Sequence, residues 1–187
     1  MIELFEKYVD WKILAFFLKY PTTSFYVKEL GRKLDVSPGS VSKAVRSFES
    51  SGLLRMEEKG LAHLYRLNDE LPIATHLKIA YELIRIHAHK LVERFLSLDE
   101  NVISIALYGS YATGEYDEKS DMDLLIITPT DRDTYPSLVS ELEEELGVKL
   151  SPQIVSLSGW QKLKREDRVF HASVLESHIL LHGAGLI

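Results

Sequence analysis

Cysteine is absent from the 187-residue chain, which excludes disulfides and thiolate metal sites and fits a reducing compartment. Long apolar runs are absent too. The first twenty residues (MIELFEKYVDWKILAFFLKY) carry charges throughout, and no window is long and apolar enough for a signal core or a membrane span. Low-complexity linkers and internal repeats are missing. A basic excess is absent: Asp and Glu number 28 against 22 Lys and Arg, a formal net charge of -6, which argues against a non-specific coat for nucleic acid. The expectation is a cytoplasmic protein without a membrane partner. The charge is uneven, +1 over residues 1–70 and -7 over 71–187, which suggests two parts with different partners.

What is present begins with apolar residues at helical spacing over 4–20, ended before Pro21. A second short helix is expected over Phe25 to Leu34. Ser37 followed by Pro38 is a helix start, a capping hydroxyl with proline in the first turn, and Gly52 marks its stop. Leu53 to Glu57 and Leu61 to Leu67, joined by Glu58-Lys59-Gly60, read as a β-hairpin.

The order helix, helix, turn, helix, hairpin, carried by VKELGRKLDVSPGSVSKAVRSFESSGLL and MEEKGLAHLYRL, resembles the winged helix-turn-helix domains of prokaryotic regulators. In that family the third helix enters the major groove and the wing touches the backbone. The resemblance implies DNA binding through Ser40, Ser42, Lys43 and Arg46, with Lys59 and His63 on the wing. Arg46 has the fork that pairs with guanine. Winged helices also serve as protein-interaction modules, and Glu57 and Glu58 on the wing would repel phosphate.

Leu71 to Leu98 reads as one long amphipathic helix with Pro72 in its first turn. Tyr81, Ala88 and Phe95 alternate with Leu77, Ile84, Leu91 and Leu98 in a heptad-like pattern. It is either a homodimer helix or a connector. Beyond Asn101 the pattern becomes strand (Val102 to Tyr108), strand (Met122 to Thr128), acidic helix (Pro136 to Leu146) and a strand over Val148 to Leu157 interrupted by Pro152. A helix from Ser158 to Glu166 and a closing strand from Ile179 to His182 follow.

The two apolar strands flank LYGSYATGEYDEKSDMDLLI. Residues two apart in a strand point to one side, so Asp121 and Asp123 present their carboxylates together. Such a pair repels unless a cation lies between, and oxygen ligands with room for phosphates suit Mg²⁺ (or Mn²⁺). Gly109 permits close backbone approach, and Ser110 offers a hydroxyl and an amide to phosphate. The seven histidines lack metal-site spacing; His87 and His89 face apart on a helix.

The joint pattern (apolar strand, Gly-Ser, ten residues, Asp-x-Asp, apolar strand) is similar to the signature of the DNA polymerase β-like nucleotidyltransferases in their minimal form. The resemblance implies transfer of a nucleoside monophosphate from a nucleoside triphosphate to a hydroxyl. It makes Asp121 and Asp123 catalytic metal ligands for divalent ions, and Gly109 and Ser110 phosphate-binding. In antitoxin-like relatives the acceptor is another protein. The family places a third carboxylate on the next strand, where this chain has Gln153, a weak ligand that cannot act as a base. Glu115, Asp117 and Glu118 are the nearby substitutes.

The expectation is therefore an α/β chain in three parts: winged helix over 1–70, connecting or dimer helix over 71–98, and minimal nucleotidyltransferase domain over 99–187. Three readings stay open: an active transferase, a nucleotide-binding domain without turnover, and a DNA-binding regulator with a dimerisation scaffold.

Overall fold

The computed structural model describes residues 7–60 and 62–186; residues 4–6 of the expected first helix and Leu61 of the expected hairpin lie outside them. Two compact units emerge, Met1–Ile84 and Arg85–Ile187.

In the first unit, α1 (Val9–Lys19) buries Ile13, Leu14, Phe17 and Leu18, the stripe that i, i+4 spacing puts on one face. The expected helix from Phe25 starts two residues later. Phe25–Tyr26 is instead a strand, β1, paired with Tyr65 and Leu64. Aromatic side chains suit a half-buried strand, and the Phe25 ring packs against Phe16 at 4.9 Å, so tertiary pairing overrides helical periodicity. The helix proper, α2, spans Val27–Leu34. Helix α3 (Pro38–Ser50) starts as its sequence requires: the Ser37 hydroxyl accepts from the Ser40 amide at 3.1 Å, and Pro38 follows the cap. Strands β2 (Leu54–Lys59) and β3 (Ala62–Leu67) pair antiparallel, giving the sheet order β1-β3-β2 over a core of Phe17, Leu30, Val41, Val45, Leu54 and Leu67.

The long helix expected to run to Leu98 is two helices. Helix α4 (Pro72–Ala88) ends before Lys90, whose φ of 52° lies in the left-handed region, and α5 (Leu91–Leu98) starts anew. The apolar period continues across the break, but its later members serve the second unit: Leu91 and Phe95 are fully buried, and the Phe95 ring lies 5.7 Å from Tyr135. The heptad stripe is not one continuous seam.

The second unit is a four-stranded mixed sheet built from β4 (Ser104–Tyr108), β5 (Met122–Ile127), β6 (Leu150–Val155) and β7 (Ile179–Gly183). Its order is β6-β5-β4-β7, parallel between β5 and β6 and antiparallel elsewhere. The parallel pair needs a crossover, supplied by α7 (Pro136–Leu146); α6 (Ser110–Thr113) is a single turn after β4. Helices α8 (Leu157–Glu166) and α9 (Arg168–Glu176) follow β6 and bury Trp160 and Val174 against Ala106, Tyr108, Leu125 and Ile127. The alternate residues Ile105, Leu107, Leu124 and Ile126 are equally buried. A sheet covered on both faces reads as continuous apolar runs. Pro152 is accommodated because β6 is an edge strand.

Buried Asp99, just after α5, accepts from Thr128 Oγ1 at 2.6 Å, from the Tyr135 hydroxyl and from the Asn101 amide at 2.9 Å. Burial alone would push its carboxyl up, but these bonds outweigh it and hold it well below the usual carboxylate range. Among the described residues no helix is long and apolar enough to cross a membrane.

Candidate functional site

The corner where β4 leaves the sheet and β5 enters it gathers the Gly-Ser and Asp-x-Asp residues. Tyr108, the last residue of β4, is in register with Asp123, the second residue of β5. Gly109 follows with φ 67° and ψ -153°, a region open almost only to glycine. A Cβ on Gly109 would lie 2.5 Å from Asp123 Oδ2, so the missing side chain is what lets the backbone pass over that carboxylate. Ser110 opens α6 immediately after it.

Asp121 directly precedes β5, and strand alternation sends it to the same side as Asp123. Asp123 is the one residue of β5 that is not fully buried. Burial pushes its carboxyl up; the Ser151 hydroxyl bond and the Lys149 charge pull it down, while the Asp121 charge adds to the rise. Beneath it, Tyr108 is pushed up to about 12 by burial and by the Asp123 charge. Lys149 Nζ lies 2.6 Å from Asp121 Oδ2, and this bond raises the lysine above its ordinary range.

The neighbouring strand decides which further groups can join. Ser151 stands in register with Asp123, whereas Gln153 stands opposite Leu125, further along the strand, with its side chain exposed. The loop acids are occupied elsewhere. Asp117 closes a turn by accepting from the Lys119 amide at 2.9 Å and the Ser120 hydroxyl at 3.0 Å, and Glu115 accepts from Thr113 Oγ1 at 3.3 Å. Among the described residues, no group of three or more His, Asp or Glu side chains could hold a metal ion. The donor set is two carboxylates. That set fits Mg²⁺, which commonly takes one or two protein carboxylates and completes its shell with water and phosphate oxygens.

In the first unit, Ser42, Arg46 and His63 line one cleft of about 530 Å³, together with Tyr26, Lys28, Arg32 and Tyr65. Lys28, Arg32 and Arg46 have no ion-pair partner among the described residues. The other expected contact residues stand apart. Ser40 is engaged with Ser37, its hydroxyl 2.9 Å away; Lys43 and Lys59 are exposed outside the cleft lining. His63 Nε2 lies 3.8 Å from Glu58.

Sequence spacing does not reveal Lys149, Ser151, Lys28 or Arg32 as members of these clusters. The first two enter through the parallel register set by a helical crossover, which no local pattern encodes. Lys28 and Arg32 stand i, i+4 on α2, but the cleft they border depends on the hairpin.

The family model of the nucleotidyltransferase domain matches residues 88–181. A Methanocaldococcus jannaschii protein named as a protein adenylyltransferase, MJ1379, is 39% identical over 75 residues, which cover 37% of this chain and 68% of that protein. A second of the same name and organism, MJ0604, is 36% identical over 78 residues, covering 42% and 76%. A solved toxin–antitoxin structure with AMP-PNP is 20% identical with a TM-score of 0.39, covering 51% of this chain and 73% of that one.

Proposed function

Because the chain belongs to the nucleotidyltransferase domain family, we propose that it transfers a nucleoside monophosphate from a Mg²⁺-bound nucleoside triphosphate to a hydroxyl on a protein. The names of its relatives favour ATP as donor and an adenylylated protein as product. The observation that carries the reading is the pairing of Asp121 and Asp123 on one side of β5, with the Gly109 backbone laid over Asp123.

In this reading Asp121 and Asp123 hold the divalent ion, whose charge offsets that developing on the phosphates. Gly109 leaves room for the triphosphate to approach the backbone, and Ser110 contributes its hydroxyl and amide to phosphate oxygens. Ser151 orients Asp123 by donating to it. Tyr108 and the apolar strand below keep water from the inner side of the carboxylates.

Residues 1–70, within the first unit, are read as a winged helix that binds DNA, and α4 with α5 as the connecting segment. Support comes from the three unpaired cations around the cleft, with Arg46 and His63 on its walls and Ser42 beside them. A polyanion gains most from cations that give up no internal partner. The homodimer expectation would rest on the apolar stripe of α4, of which Leu77 and Tyr81 pack against the first unit's own core.

Titration of ATP with Mg²⁺ tests the site. The expected outcome is metal-dependent binding that disappears in Asp121→Asn/Asp123→Asn; no binding to the parent protein sinks the transferase reading. A second reading, binding without transfer, is favoured because no third acidic side chain joins Asp121 and Asp123 in a metal-holding group among the described residues. Label from [α-³²P]ATP appearing on protein separates the two.

A further inference from the structure

We propose that Lys149 is a substrate-binding cation that stands in for a second metal ion, so that the site works with one divalent ion and one ammonium on the triphosphate. The inference rests on the nucleotidyltransferase reading and concerns the same two aspartates.

Oxygen atoms are the starting point. Of the four carboxylate oxygens on Asp121 and Asp123, Asp121 Oδ2 is taken by Lys149 at 2.6 Å. Asp123 Oδ2 lies against Gly109, and the Asp123 carboxylate also accepts from Ser151. Glu115 and Asp117 are turned to their own loop, Gln153 is exposed beyond the pair, and no third acidic ligand completes a set among the described residues. A two-ion site needs ligands that bridge both ions, and two carboxylates with no third acidic ligand beside them among the described residues serve one. A triphosphate nevertheless brings more negative charge than a single Mg²⁺ offsets.

Lys149 is placed to supply the remainder. Its backbone is fixed: its carbonyl accepts from the Met122 amide at 2.8 Å, and the next amide, of Leu150, donates to Glu143 at 2.8 Å. Its side chain is 71% exposed and reaches Asp121 directly, at 2.6 Å. An ammonium on a flexible stem held at its base can leave Asp121 when a divalent ion arrives. There it would pair with phosphate oxygens of a bound nucleotide, as lysines in phosphate sites do. Without nucleotide it competes with metal for Asp121; with nucleotide it assists.

Those two roles have opposite signs, which a merely structural lysine would not show. The test measures binding of Mn²⁺, alone and with a non-hydrolysable α,β-methylene ATP, to the full chain and to Lys149→Ala and Lys149→Arg. Bound Mn²⁺ is counted by electron paramagnetic resonance. The expected result is one Mn²⁺ per chain in the ternary complex. In Lys149→Ala, Mn²⁺ alone binds as tightly as before or more tightly, while nucleotide affinity falls about tenfold or more. Lys149→Arg restores most of that affinity. Two Mn²⁺ per chain, an unchanged nucleotide affinity in Lys149→Ala, or a loss of metal and nucleotide affinity together overturns the proposal. In those cases, Asp121- and Asp123-dependent binding to the parent would leave the transferase reading standing. Absence of any such binding removes both.

Discussion

Replacing Gly109 with alanine perturbs backbone and site at one point. At φ 67° and ψ -153° a side chain costs about 1–3 kcal/mol in backbone strain. The new Cβ would sit 2.5 Å from Asp123 Oδ2 and 3.4 Å from its Cγ, so the carboxylate must swing away and release the Ser151 hydroxyl. A buried bond to a charged group contributes about 1.5–3 kcal/mol, and partial exposure of Asp123 reduces this to about 1 kcal/mol. Gly109→Ala is expected to lose about 2–4 kcal/mol from the second unit. Urea unfolding read by fluorescence of buried Trp160, in a Trp11→Phe background, isolates that unit. In an Asp123→Ala background the same change should cost only the strain, because the clash has gone. Metal-dependent ATP binding should vanish in the single variant. A midpoint within about 0.5 kcal/mol of the parent, or a cost unchanged by removing Asp123, refutes the reasoning.

Three other outcomes are expected. Asp99→Asn should destabilise the second unit by about 2–4 kcal/mol, because a buried carboxylate with four donor groups is replaced by an amide that cannot accept from all of them. Since the folded protein depresses the Asp99 carboxyl, its stabilisation is complete above the ordinary value near pH ~3.9 and drains away as pH falls below it. Acid-unfolding curves should therefore be shallower for Asp99→Asn below about pH 4. Arg46→Ala should weaken binding of the chain to duplex DNA and lower the slope of log affinity against log salt by about one, measured by fluorescence anisotropy across a salt series.

Much of the candidate site was legible because its geometry is local. Glycine behind one strand and an i, i+2 aspartate pair at the head of the next need only strand alternation, and the antiparallel pairing of β4 with β5 brings Tyr108 to Asp123. Lys149 was not legible, since its place beside Asp121 follows from how far α7 carries the chain before β6 begins. The break at Lys90 was hidden because the apolar period runs straight through it, each half serving a different core. Phe25 and Tyr26 fit a helical stripe equally well, and only the presence of β3 decides for a strand. The Asp99 network joins residues that are up to 36 positions apart in the chain, beyond any motif.

The outer edge of β6 limits how a protein can present itself to this site. Met122 donates to the Lys149 carbonyl and Thr128 to the Val155 carbonyl, so in the parallel ladder the amide positions of residues 150, 152 and 154 face away from β5. Leu150 already donates to Glu143, and Pro152 has no hydrogen to give. An edge with only Ile154 left to donate is a poor template for an incoming strand, which guards against edge-to-edge aggregation. It also disfavours strand addition along β6 as a docking mode; under the proposed function, an acceptor protein would offer its hydroxyl from a loop, a helix or a chain end.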